Sequence, residues 1–333
     1  MLLIVSLLAL GATVVATHFY VPLARRLALI DAPNARSAHC NDTPSSGGIV
    51  LVGVLLLSLV LLQCIDYLSA SPEFYVMLAT LAVVCATGAV DDWRTLPVSV
   101  RLLVLAVAAI VSVSCYGPAL PWQGDALLPG LIVLPVLTLG LTWLYNLYNF
   151  MDGIDGIAAL QTLLCALGIL LMGYIGDAPT EFLALAAMVV GVFVGFLWFN
   201  WPPAKLFMGD AGSLSAGFLI AWLGLWGVRD GFLPLASWLL LMSPFILDAT
   251  ITLGRRAWRR ERITEGHNQH FYQGLHRSFD GDRRVIVGLL LLHLCCLQPL
   301  ALLQTMPIGP VWTSMCLGLF PQLFLIAKHW RLQ

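Results

Sequence analysis

Residues 180–199 read TEFLALAAMVVGVFVGFLWF, a run of 20 residues whose one charge, Glu181, stands near its start. At about 1.5 Å per residue, a helix of about 20 apolar residues crosses the ~30 Å hydrocarbon layer of a bilayer. Similar stretches lie on both sides, at roughly 1–22, 47–65, 74–90, 99–117, 127–145, 156–175, 213–229, 232–252, 284–303 and 308–328. The whole chain of 333 residues is 59% hydrophobic and 11% charged, with a mean hydropathy of +0.89. A soluble domain carries roughly 25% charged residues, so this chain has too little polar sequence to cover a water-facing globule. Alternating strands of the outer-membrane-barrel kind are not seen, which leaves helices to satisfy the backbone in lipid. The sequence therefore predicts an all-α polytopic membrane protein of about eleven transmembrane helices, with 1–333 a single domain.

Basic residues orient the chain, because Lys and Arg resist translocation. With the N-terminus outside, Arg25, Arg26, Arg36, Arg94, Arg101, Lys205, the run from Arg255 to Arg284, Lys328 and Arg331 all fall on the inner side, and Arg229 alone falls outside. The C-terminus is then cytoplasmic. The inner loops are about 23–46, 91–98, 146–155, 200–212 and 253–283, while the outer ones are short and poor in charge. The first span has no basic leading region and no small-residue cleavage site, so it reads as a membrane helix rather than a signal peptide. The eight cysteines show no metal-cluster spacing and read as small apolar fillers. No internal repeat of the kind seen in many transporters is found.

Three acidic segments mark the inner ends of helices: Asp91-Asp92; Asn149-Phe150-Met151-Asp152-Gly153-Ile154-Asp155-Gly156; and Pro203-Ala204-Lys205-Leu206-Phe207-Met208-Gly209-Asp210-Ala211-Gly212-Ser213. One Asp at a helix end ordinarily sits in the headgroup zone. Five gathered on one face, set among Gly, Asn and aromatic residues, repel one another near a low-dielectric boundary unless a cation compensates. If helical, residues 152–155 would bring Asp152 and Asp155 to neighbouring positions. Oxygen ligands without His or Cys favour a hard ion, Mg²⁺ or Mn²⁺. Mg²⁺ commonly shares one or two carboxylates with substrate phosphates, so a phosphorylated substrate follows.

These motifs resemble the polyprenyl-phosphate N-acetylhexosamine-1-phosphate transferases, and the stretch Pro33-Asn34-Ala35-Arg36-Ser37-Ala38-His39 … Pro44-Ser45-Ser46-Gly47-Gly48 matches that family's loop after the first helix. The wording is most similar to the branch that starts O-antigen synthesis in the inner membrane of Gram-negative bacteria. The resemblance implies transfer of a 2-acetamido-sugar 1-phosphate from a UDP-sugar, of the UDP-GlcNAc or UDP-FucNAc type, to undecaprenyl phosphate with release of UMP. It implies a metal role for Asp155 and Asp210, a catalytic role for Asp91, Asp92 and Asp152, and substrate contacts from Asn149, Lys205 and His270. Membrane lipid is a partner, nucleic acid is not, and the oligomeric state lies beyond the sequence. Two departures stand out. Residues 267–276 (HNQHFYQGLH) lack the histidine run of the peptidoglycan branch, and Ser45-Ser46 replaces a stretch that often holds Arg. Asp248, near the inner end of its span, reads equally as a structural partner for Arg or as a functional acid. The alternative, a cation-coupled transporter, predicts acids at mid-span and a repeat.

Overall fold

The computed structural model describes residues 1–32, 42–69, 71–117, 127–262, 267–279, 281–306 and 311–331. The matched loop at 33–39 and Cys40 lie outside these. Each of the eleven expected segments is helical. In chain order they are α1 (Leu2–Arg26), α2 (Gly48–Cys64), α3 (Pro72–Trp93), α4 (Val98–Tyr116), α5 (Leu127–Met151), α6 (Ile157–Ile175), α7 (Thr180–Asn200), α8 (Gly209–Asp230) and α9 (Leu235–Trp258). A short amphipathic α10 (Phe271–Phe279) precedes the broken tenth segment, made of α11 (Asp282–Leu292), a π turn (His293–Leu297) and α12 (Gln298–Leu303), and α13 (Val311–Arg331) ends the bundle. Among the described residues nine helices are long and apolar enough to cross a membrane, and α2 is a shorter apolar helix. The protein is an all-α polytopic membrane protein.

The helix α8 is the axis. Its apolar window is 94% buried, against 22% for α1 and 17% for α13, so the helices grade from an enclosed centre to a lipid-facing rim. Small residues make this possible: without a hydrophobic drive between helices in lipid, close backbone approach supplies the packing. A Cβ on Gly48 of α2 would overlap the backbone at Gly212, and one on Gly88 of α3 would overlap that of Asp210. Both crossings lie at the N-terminal end of α8, which fixes α2 and α3 against the third acidic motif. The other end of α8 is closed by Trp222 and Trp226, stacked 6.4 Å apart, with Phe74 and Tyr116 against them.

The helices run further into the acidic motifs than expected. Asp91 and Asp92 belong to the last turn of α3, Asn149 to the last turn of α5, and Asp210 to the first turn of α8, so the connecting loops are shorter than 91–98, 146–155 and 200–212. Residues 152–156 are not helical, so the helical neighbour relation of Asp152 and Asp155 does not form. The inner segment 253–283 also contains the end of α9 and all of α10. A two-stranded antiparallel pair, β1 (Ile30–Asp31) with β2 (Thr43–Pro44), adds a strand element that hydropathy did not signal.

Candidate functional site

At the N-terminal end of α8 the motifs enclose a cleft of about 490 Å³. Asp31, Asp92, Asp152, Asp155 and Asp210 line it, with Asn149, Ser46, Asn200, Phe207 and Gln273. Four of the five expected carboxylates thus meet, together with Asp31, which the sequence reading passed over.

Each carboxylate has its own setting. Asp92 accepts hydrogen bonds from the backbone N–H of Asp210 at 2.7 Å and of Ala211 at 3.3 Å. It caps α8 from the neighbouring helix, where a negative charge meets unpaired N–H groups and the positive end of the helix dipole. Gly209 has a φ of +70° beside it, and a Cβ there would come within 2.5 Å of Asp92 Oδ2, so only glycine lets the cap close. Asp210 accepts from Asn149 Nδ2 at 2.6 Å, and its other oxygen lies 3.3 Å from Arg101 Nη1. Asn149 also donates to Ser213 Oγ at 3.3 Å. Asp155 accepts from Ala204 N–H at 2.8 Å, and its own N–H donates to Asp282 Oδ2 at 3.3 Å. Asp152 has no side-chain donor among the described residues. Burial, then Asp92, then Asp155 push its pKa from 3.8 up to about 7, because each disfavours the charged form. Solvent in the cleft reaches this half-buried side chain and tempers the shift.

Three expected site residues are placed elsewhere. Asp91 is buried behind Asp210 without lining the cleft, accepting from Leu96 N–H at 2.6 Å and pairing with Arg101 at 2.8 Å. Lys205 is exposed and does not line the cleft. His270 is buried, with Nδ1 3.2 Å from Asp248 Oδ1. Asp248 in turn accepts from the backbone N–H groups of Phe271 at 2.8 Å and Tyr272 at 2.9 Å. It is the cap of α10, the same device that Asp92 serves at α8. Arg101, Gln273, Ser46 and Asp282 were not singled out by sequence. Arg101 counted only as a topology marker, although its place one turn into α4 puts it within reach of the end of α3.

The donor set suits a hard divalent ion. Its carboxylates and Asn149 offer oxygen donors, and among the described residues no three His, Cys, Asp or Glu side chains converge to hold an ion by themselves. That is the arrangement in which one or two carboxylates hold Mg²⁺ and substrate phosphates complete the shell.

Fold and cleft together define a polytopic helical membrane protein with an acid-lined site at one end of its bundle. Residues 74–228 match the profile described as glycosyl transferase family 4. The chain is 26% identical over 305 residues to the phospho-N-acetylmuramoyl-pentapeptide-transferase of Chloroflexus aurantiacus, covering 84% of this chain and 81% of that one. It is 29% identical over 330 residues to the undecaprenyl-phosphate alpha-N-acetylglucosaminyl 1-phosphate transferase of Yersinia pestis, covering 93% and 87%. A probable undecaprenyl-phosphate N-acetylglucosaminyl 1-phosphate transferase of Bacillus subtilis is 24% identical over 265 residues, covering 76% and 72%. The chain is thus similar over its central residues to glycosyl transferase family 4, and over most of its length to these sugar-phosphate transferases.

Proposed function

We propose that the protein transfers a 2-acetamido-sugar 1-phosphate from a UDP-sugar, UDP-GlcNAc or UDP-FucNAc in type, to undecaprenyl phosphate, releasing UMP. The observation that carries this is the convergence of Asp92, Asn149, Asp152, Asp155 and Asp210 on one cleft at the end of a membrane-type bundle. A water-borne nucleotide sugar and a lipid-borne phosphate can meet there. Mg²⁺, or Mn²⁺, held by Asp210 and Asp155 would neutralise the donor diphosphate, the usual metal contribution to phosphoryl transfer.

The chain's own groups do the rest. Asn149 fixes the rotamer of Asp210 through the 2.6 Å bond. Asp92 locks the N-terminus of α8, so the Gly209–Ala211 backbone is rigid where the diphosphate approaches. Asp152, with a pKa near neutrality, matches a group that takes the proton of a phosphate monoester, since an effective base titrates near the working pH. The lipid phosphate oxygen then attacks the β-phosphorus in line as UMP departs. One phosphoanhydride replaces another, so the reaction is near balance. The ion pair on Asp91 and the α8 cap on Asp92 favour direct attack over a double displacement through a phospho-aspartate.

The missing histidine run at 267–276 supports an N-acetylhexosamine donor over UDP-MurNAc-pentapeptide, and the resemblance to the O-antigen branch supports a place at the first membrane step of O-antigen synthesis. Purified protein with undecaprenyl phosphate and a panel of UDP-sugars, UDP-MurNAc-pentapeptide included, tests this by UMP release with and without Mg²⁺. Release with a UDP-N-acetylhexosamine alone is expected. Release with the pentapeptide donor overturns the substrate assignment, and release with none overturns the function.

A further inference from the structure

Arg101 lies within ion-pair distance of the cleft carboxylate Asp210, and its Nη1 is shared. It lies 2.8 Å from Asp91 Oδ2 and 3.3 Å from Asp210 Oδ2. Asp91 is fixed in turn by its second oxygen, which accepts from Leu96 N–H at 2.6 Å. The side chain of Arg101 is mostly buried, and its Nε has no hydrogen-bond partner, so the guanidinium holds its place through the Nη1 contacts. Asp210 Oδ1 is committed to Asn149. Oδ2 is the oxygen that faces Arg101, with the Asp91 carboxylate beside it.

We infer that Arg101 is a positioning cation for the metal ligand Asp210, tethered to Asp91 so that it yields Asp210 Oδ2 to a divalent ion without leaving the site. This rests on the metal role given to Asp210 above. The tighter contact with Asp91 keeps the guanidinium beside the cleft when the looser one is exchanged. Asp91 then has a definite task, holding back the cation that competes with the metal, although it never reaches the cleft. Two unit charges about 5 Å apart, at an effective dielectric constant of about 20, interact by several RT. The competition is thus large enough to read in a binding constant.

The test is Mn²⁺ binding to the purified full chain without substrate, followed by loss of the free Mn²⁺ electron paramagnetic resonance signal. Arg101→Gln should tighten binding by about tenfold, because it removes a positive charge beside Asp210. Arg101→Lys keeps the charge and should stay within about threefold of the parent. Asp91→Asn frees Arg101 to pair fully with Asp210, so it should weaken binding by about tenfold. In the Asp91→Asn/Arg101→Gln double variant that weakening should disappear, as expected for coupled neighbours. Asp210→Asn is the control for the underlying reading: if it leaves Mn²⁺ affinity unchanged, the metal assignment itself fails. If Asp210→Asn abolishes binding while Arg101→Gln leaves it unchanged or weaker, the metal assignment stands and the positioning role falls. Should Arg101→Gln not fold, Asp91→Asn decides alone, and undiminished affinity there overturns the inference.

Discussion

Asp91 and Asp92 are adjacent in sequence and serve opposite ends of the site. Successive residues on a helix point about 100° apart, so one carboxylate turns to Leu96 and Arg101 and the other to the N-terminus of α8. The pair stood out in the sequence; its separate contacts did not, because Asp92's backbone partners lie more than a hundred positions along the chain. Asp210 and Asn149, marked by their motifs, line the cleft, whereas His270 and Lys205, marked by residue type, do not. Asp152 offers the clearest test at this scale. In the folded protein its pKa rises to about 7 from 3.8, so the carboxylate form needed to accept a proton is lost as pH falls below about 7. The acid limb of kcat/KM should therefore bend near neutrality, and Asp152→Asn should flatten it while lowering the rate by about 10²–10⁴-fold. Stability has the opposite sense. Between about pH 4 and 7 the folded state binds the proton that the unfolded state has released, so this group's contribution falls as pH rises through that window. Melting curves in detergent at pH 5 and pH 8 should differ less for Asp152→Asn than for the parent, and an unchanged pH–rate profile would remove Asp152 as the base.

Two elements begin where a carboxylate from another helix caps them, α8 under Asp92 and α10 under Asp248. Met208 at the start of α8 makes no side-chain cap, so in both helices N–H groups of the first turn are paired by a carboxylate from another helix. Hydropathy finds α8 as a span and cannot find α10, which is short and amphipathic and exists because Asp248 and His270 anchor it. This anchor explains how a loop rich in Arg and His contributes to the cleft through Gln273, whose Oε1 accepts from His270 N–H at 3.1 Å. Asp248→Ala strips the N–H groups of Phe271 and Tyr272 of their acceptor and leaves His270 without its partner. Losing a cap of this kind removes about 1–2 kcal/mol of local stability. Amide hydrogen exchange over 271–279 should speed up by about fivefold or more, and the donor KM should rise as Gln273 loosens, with the transmembrane helices still protected. Exchange at the parent rate over α10 would mean that the helix stands without its cap.

For the whole molecule, the basic residues and the acid-lined cleft share one end of the bundle. Arg94 and Arg101 flank the α3–α4 turn, Lys205 precedes α8, and Arg255 and Arg256 close α9. The exception, Arg229 at the far end of α8, is neutralised by Asp230 at 2.7 Å, bonded to Cys115 O at 2.9 Å and set over the Tyr116 ring at 4.6 Å. A cation so engaged weighs less against the charge rule than a free one. On this rule we propose that the cleft faces the cytoplasm and the opposite end lies outside. The helical spans were legible from sequence, because they need only hydropathy, whereas the cleft needs contacts between distant motifs. Cys64 tests the orientation. It is exposed at the C-terminal end of α2, while Gly48 at the other end packs against Gly212 beside the cleft; a helix of 17 residues separates them by about 25 Å. In a chain keeping Cys64 alone, a membrane-impermeant maleimide should label intact spheroplasts. In a chain keeping Cys40 alone, which belongs to the 23–46 segment on the cleft side of α1, labelling should appear only after the membrane is opened. Labelling of Cys40 in sealed spheroplasts, with Cys64 protected, would invert the protein and turn the cleft away from its proposed donor.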